Sequence, residues 1–195
     1  MQKLIPLLIG ATFAATARAQ TPVPPADEQI AAAVLPLPAD LRAGAKVLGY
    51  RTAQKLETLR EGNNGMTCLA LYVVRTDFHV ACYHDSLEPF MARGRELRAK
   101  GVTGNAVDST RFAEIASGKL KMPAHGALYS LTGPKTAWNA STHTATGARP
   151  LAVVYMPGAT TKTTGITSAP AESGPWLMFP GTAKAHIMMV GAMTP

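Results

Sequence analysis

His84, Asp85 and Glu88 stand close together in this chain, and imidazole and carboxylate groups are the side chains that move protons in acid and base catalysis. The same residues also describe a helix start. There a polar side chain accepts from free N–H groups, and a carboxylate meets the positive end of the dipole. A second set lies near the C-terminus, where His186, Met188, Met189 and Met193 bring imidazole and thioether groups that suit copper, cuprous ion in particular. Along a strand His186 and Met188 share one face and Met189 takes the other. Methionine is equally a filler of apolar cores. Arg93, Arg95 and Arg98 form a third set, able to clasp a carboxylate or phosphate through forked guanidinium donors. The alternative is a solvated helix face, with Glu88 and Glu96 balancing part of the charge and Glu96 spaced i,i+4 from Lys100. No G-x-S-x-G elbow, H-E-x-x-H pair or phosphate-binding loop accompanies these sets.

The elements that must position these residues follow from periodicity. Residues 27–35 have helical composition and are stopped by Pro36 and Pro38. Residues 45–50 and 56–60 read as strands, and Asn64-Gly65 is a turn leading into Met66, so a β-meander is expected. The clearest helix starts at Asp85 or Ser86 and runs to about Lys100. Leu87, Phe90, Met91, Gly94 and Leu97 form its apolar stripe, and Gly101 ends it. A second helix opens at Asp108 or Ser109, with Phe112, Ile115 and Ala116 inward and Gly118 as its stop. Residues 127–131, 151–156 and 187–190 read as further strands. Between the last two lies a Thr-, Gly- and Pro-rich stretch, 157–185, too long for an ordinary loop. Within it Trp176-Leu177-Met178-Phe179 should dock on the body, because exposing so much apolar surface is costly.

The two cysteines fall in one apolar hairpin. A polar break at Arg75-Thr76-Asp77 sets a register in which Cys68 faces Cys82, so a disulfide is expected between them. The rival is a Cys82 nucleophile with His79 or His84 as its base, which an oxidised Cys82 excludes.

The first 19 residues read as a secretory signal peptide. They carry Lys3 in a positive start, an apolar stretch, and Ala17-Arg18-Ala19 ahead of a cleavage site after Ala19. The expected location is periplasmic or secreted. Residues 20–26, with Pro22, Pro24 and Pro25, are expected to be a flexible lead-in, and residues 27–195 a single domain. No later apolar run approaches the roughly 20 residues that span a bilayer. Loss of Lys3 and Arg18 with the leader reduces the net charge from +7 to +5. The remaining charges are scattered, which argues against a nucleic-acid partner.

The segment from Val80-Ala81-Cys82-Tyr83-His84 through Leu87-Glu88-Pro89-Phe90-Met91 to Gly101 resembles uncharacterised secreted bacterial proteins. Gly174-Pro175-Trp176-Leu177-Met178 and Ala185-His186-Ile187-Met188 extend the resemblance. It covers about half of the mature chain and implies no activity and no site residues.

Together these readings define an expected α+β protein: one domain, a mostly antiparallel sheet, and two or three short helices packed on it. The expected function is that of an exported binding or accessory module with a protein or small-molecule partner. Two alternatives stand beside it, a hydrolase using His84, Asp85 or His186, and a copper-binding protein using His186 and its methionine neighbours.

Overall fold

β-Branched and aromatic runs punctuated by Gly, Pro and Asn become strands in the computed structural model, which describes residues 22–53, 55–71, 75–171 and 173–195. The leader at 1–19 and the first two lead-in residues lie outside these. Eight strands form one sheet: β1 (Lys46–Thr52), β2 (Lys55–Arg60), β3 (Met66–Leu69), β4 (Asp77–His84), β5 (Gly126–Pro134), β8 (Arg149–Tyr155), β9 (Trp176–Met178) and β10 (His186–Val190). Their order is β2-β1-β3-β4-β5-β8-β10-β9. The pair β6 (Trp138–Asn139) and β7 (Thr144–Ala145) forms a separate small hairpin. The helices are α1 (Ala26–Ala33), α2 (Ala39–Arg42), α3 (Glu88–Ala99), α4 (Asn105–Ala116) and α5 (Thr161–Thr164). The chain is therefore an α+β protein with a mostly antiparallel sheet.

The β3–β4 hairpin has the register read from its turn, with Cys68 opposite Cys82 and Leu69 opposite Ala81. The two sulfurs are bonded at 2.05 Å and both cysteines are fully buried. The simple meander is corrected. Strand β3 runs parallel to β1 and pairs with it, so β1 lies between β2 and β3. The charges of β2, at Lys55, Glu57 and Arg60, suit an edge better than an interior position. The chain reaches β3 by passing the start of β1, where Asn63 N–H donates to the Gly44 carbonyl at 2.8 Å. Gly62 makes this crossing possible, since a Cβ there would sit 2.2 Å from the Lys46 nitrogen.

Alternation along β4 directs its side chains to both faces of the sheet. Phe78, Val80 and Cys82 are buried on the side of α1. Gln29 pins that helix to β1, donating to the Tyr50 carbonyl at 2.7 Å and accepting from the Tyr50 N–H at 2.8 Å. Tyr83 belongs to the opposite face, in a cluster with Leu87, Phe90, Val153 and Tyr155 beneath α3.

A 3-10 turn at Asp85–Leu87 precedes α3, and Pro89 sits in the first helical turn. Helix α4 begins at Asn105, three residues before the expected start. Gly104, with φ 58°, turns the chain at its N-cap. Asp108 consequently lies inside the first turn and is ion-paired instead of capping. The inward residues are also corrected: Val107 and Arg111 are buried, Phe112 and Ile115 are half-buried and Ala116 is exposed. The 157–185 stretch contains α5, opened by a Thr160–Thr163 capping box, and β9, whose Trp176 and Leu177 are buried. Phe179 departs from the expected docking. It is 43% exposed, at a positive φ of 51°. No helix of the described residues is long and apolar enough to cross a membrane.

Candidate functional site

His84, Asp85 and Glu88 are close in sequence, yet each turns to a different partner. His84 Nδ1 accepts from the Ser86 N–H at 3.3 Å and lies 2.8 Å from Ser86 Oγ. Its Nδ1 lone pair is thus engaged in capping, which leaves the proton of the neutral ring on Nε2. Asp85 Oδ1 accepts from the Thr67 hydroxyl at 2.6 Å. Glu88 accepts from the Tyr83 hydroxyl at 2.5 Å and from Arg95 at 2.6 Å. Burial, and then the bond to Glu88, push the Tyr83 hydroxyl well above the usual range. Asp85 and Glu88 do line a cavity of about 310 Å³ with Lys46 and Thr67, but His84 opens onto a different hollow with Ser86 and His125.

The three arginines are likewise separated. Arg93 forks onto Glu114 of α4, at 2.6 and 2.8 Å, and also reaches Glu96. Those bonds, Glu114 first, hold its guanidinium above the ordinary range. Arg95 donates to Tyr83 and Glu88, and Arg98 is exposed with no hydrogen bond or ion pair among the described residues. Arg93 ties α3 to α4, Arg95 ties it to Tyr83 of β4, and the three arginines form no shared anion clasp.

The C-terminal set divides between the core and the surface. Met188 packs with Val153, Tyr155 and Phe90, while Met189 is 38% and Met193 55% exposed. Met178 faces His186 across the β9–β10 pair. Among the described residues no three or more His, Cys, Asp or Glu side chains form a group able to hold a metal ion.

His186 differs from His84. It is 6% exposed, and its Nδ1 lies 2.6 Å from the Lys184 carbonyl oxygen. A carbonyl can only accept, so Nδ1 carries the proton and the Nε2 lone pair has no hydrogen-bond partner among the described residues. Burial holds the imidazole below its ordinary range; the bond to the carbonyl opposes this, and the Lys184 charge reinforces it. The ring lies 5.0 Å from that of Tyr155 and 5.7 Å from that of Phe179.

Around this histidine the fold gathers charges from distant parts of the chain. Lys184 reaches over the Phe179 ring, 4.7 Å from its centre, and binds Asp108 at 2.7 Å. The other oxygen of Asp108 binds Arg111. Burial pushes the Asp108 carboxyl up, but the bonds from Lys184 and Arg111 outweigh this and hold it below the usual range. Arg111 is 4% exposed. It donates to the Phe90 carbonyl at 3.1 Å and lies 3.7 Å above the Phe90 ring. Gly94 leaves room for it, since a Cβ there would meet the guanidinium at 2.9 Å. Among the described residues its buried Nε has no hydrogen-bond partner. Tyr155, pushed up to about 12 chiefly by burial, remains neutral.

Of this cluster only His186 is marked by the sequence as a candidate site residue. A usable signal was present in α4. Arg111 occupies the i+4 position between Val107 and Ile115, inside the apolar stripe, with an acid three residues before it.

The architecture and this polar seam between α4 and the segment leading into β10 define an α+β protein with a cationic, aromatic-walled cluster at one end of its sheet. Comparison with known protein families, curated proteins and solved structures finds no match to the chain.

Proposed function

We propose that the chain is an exported, disulfide-stapled binding module, with Asp108, Arg111, Tyr155, Lys184 and His186 as its ligand site. The leader-like residues 1–19 and the Cys68–Cys82 bond support export, since paired thiols persist as disulfides in oxidising compartments. The observation that carries the binding reading is Arg111, a buried cation with an unpartnered Nε. A buried donor without an acceptor costs about 1–3 kcal/mol, a cost that a ligand oxygen would remove. Beside it, His186 offers an unengaged lone pair on Nε2.

The hydrolase alternative draws less support, because His84 and Asp85 face different partners and the His84 lone pair is engaged by Ser86. Copper is disfavoured by the cations Lys184 and Arg111 around His186 and by the core position of Met188. Native mass spectrometry of the protein purified from its exported compartment tests the reading, with the denatured mass as reference. A retained small molecule is expected on the wild type and is lost in Arg111→Met. A bare chain in both would refute the binding reading.

A further inference from the structure

A cavity of about 300 Å³ lies between the start of α1 and the small β6–β7 hairpin. Pro22, Pro24, Ala32, Leu71 and Trp138 give it a mostly apolar lining. The fold fixes these walls. Gln29 donates to the Pro24 carbonyl at 2.7 Å while the same amide holds Tyr50 of β1, so the residues before α1 are tied to the sheet. Trp138 lies parallel to the fully buried ring of Phe78, with centres 6.1 Å apart. A preformed apolar cavity of this size, with a few polar groups to orient an occupant, is the usual form of a small-molecule site.

Three polar side chains, Glu28, Gln29 and Lys135, complete the lining. The Gln29 amide is spent on Pro24 and Tyr50. Glu28 is half-buried and accepts through Oε1 from the Trp138 indole N–H at 3.2 Å. That donor is neutral, and among the described residues no cation pairs with Glu28. Lys135 is exposed and has no hydrogen bond or ion pair among the described residues. Trp138 relates the two charges. Glu28 is bonded to its indole, and Lys135 precedes it by three residues across a 3-10 turn at Lys135–Ala137, a spacing that sets both side chains on one side. One anion and one cation, unpaired with each other, thus flank an apolar space. Charge complementarity then calls for a ligand with an ammonium, a carboxylate and an apolar body. Going beyond the seam, we propose that this cavity is a second site, which binds an α-amino acid with a large apolar side chain. The ammonium donates to Glu28 Oε2, the carboxylate accepts from Lys135, and the side chain lies among Trp138 and the prolines.

The test uses L-phenylalanine, 3-phenylpropionate, which lacks the ammonium, and phenethylamine, which lacks the carboxylate. Each is titrated calorimetrically into the disulfide-intact mature protein, its Glu28→Gln variant, whose amide oxygen still accepts from the indole, and its Lys135→Gln variant. Wild type is expected to prefer L-phenylalanine to 3-phenylpropionate by about tenfold, the worth of a charge-assisted hydrogen bond. Glu28→Gln should weaken L-phenylalanine and phenethylamine and spare 3-phenylpropionate. Lys135→Gln should weaken L-phenylalanine and 3-phenylpropionate about two- to fivefold, as suits an exposed cation, and spare phenethylamine. In the unmutated protein the Trp138 indole N–H resonance should shift with L-phenylalanine, a readout that needs no variant to fold. No binding of L-phenylalanine, equal affinity for the three probes in wild type, or affinities unchanged in both variants would overturn the assignment. Binding must also survive Arg111→Met; its loss there would move the amino acid to the seam and overturn the second site.

Discussion

Substitutions of Asp108 and Arg111 separate a structural strut from a cation held for a ligand. The Arg111 side chain is 5% exposed and that of Asp108 28%. Breaking a fully buried ion pair by removing one partner costs about 3–5 kcal/mol, because the other charge is left uncompensated. Asp108 is more than a quarter exposed, and asparagine retains one acceptor for the guanidinium. Asp108→Asn is therefore expected below that range, at about 2 kcal/mol. Arg111→Met behaves differently. An unbranched side chain still covers the Phe90 ring, the unpartnered Nε is gone, and Asp108 keeps Lys184. Its stability should stay within about 1 kcal/mol of wild type, in either direction. For a chain of this size about 2–4 °C of melting temperature accompanies each kcal/mol. Asp108→Asn should then melt about 4–8 °C lower, and Arg111→Met within about 4 °C of wild type. The double variant should be more stable than Asp108→Asn alone, since it removes the stranded charge with its partner. Thermal melting followed by circular dichroism at neutral pH reads all of these. If Arg111→Met loses as much stability as Asp108→Asn, the guanidinium is a structural strut, and the case for a cation reserved for a ligand collapses.

Three further outcomes are expected. Replacing both Cys68 and Cys82 by alanine reopens a loop with a sequence separation of 14 and should cost about 3 kcal/mol in urea denaturation; an unchanged midpoint would contradict that loop-entropy account. Burial holds His186 below its ordinary range, so the unfolded chain takes up a proton near pH ~6.5 while the folded one resists, and stability falls as pH drops through that value. His79 acts in the same direction, so His186→Phe should make the decline shallower without abolishing it, and an identical slope in denaturation series at successive pH values would refute this role. Gly62→Ala drives a Cβ against the Lys46 backbone and should cost about 3 kcal/mol, whereas a variant as stable as wild type would mean that the crossing loop shifts freely.

Much of the fold was legible because its signals are local. The register of Cys68 with Cys82 follows from a polar break between two apolar runs, and period-two alternation along β4 sorts Phe78, Val80 and Cys82 from Tyr83. The start of α4 was misplaced because Asp108 has the composition of a cap and the partners of an ion pair. The meander failed for a non-local reason: β3 pairs with β1 through a crossing that depends on Gly62, and no property of β1 or β3 alone announces it. The candidate site was least legible of all. His186 stood out by its type, but Asp108 and Lys184 are 76 residues apart in sequence, and they meet only because α4, packed on α3, is brought to the segment that leads into β10. Histidine type alone could not rank His84 against His186 either. What distinguishes them is whether Nδ1 faces a donor or a carbonyl, and that is set by tertiary structure.

The seam itself argues against a purely adhesive role for these charges. Val107 and Ile115 continue the apolar stripe of α4 on either side of Arg111, and Phe90 and Tyr155 wall the same region. An apolar side chain at position 111 would extend that packing, and exchanging buried ion pairs for apolar groups of similar volume is often neutral or stabilising. Stability alone therefore gives no reason for a guanidinium there, still less for one with a donor unpartnered. Burial also holds the His186 imidazole below its ordinary range and pushes the Tyr155 hydroxyl up to about 12, so the cluster sets an imidazole acceptor beside two cations that share one carboxylate. Packing requires neither feature. The proposed ligand site would use both, and Arg111→Met separates that use from a fastening of α4.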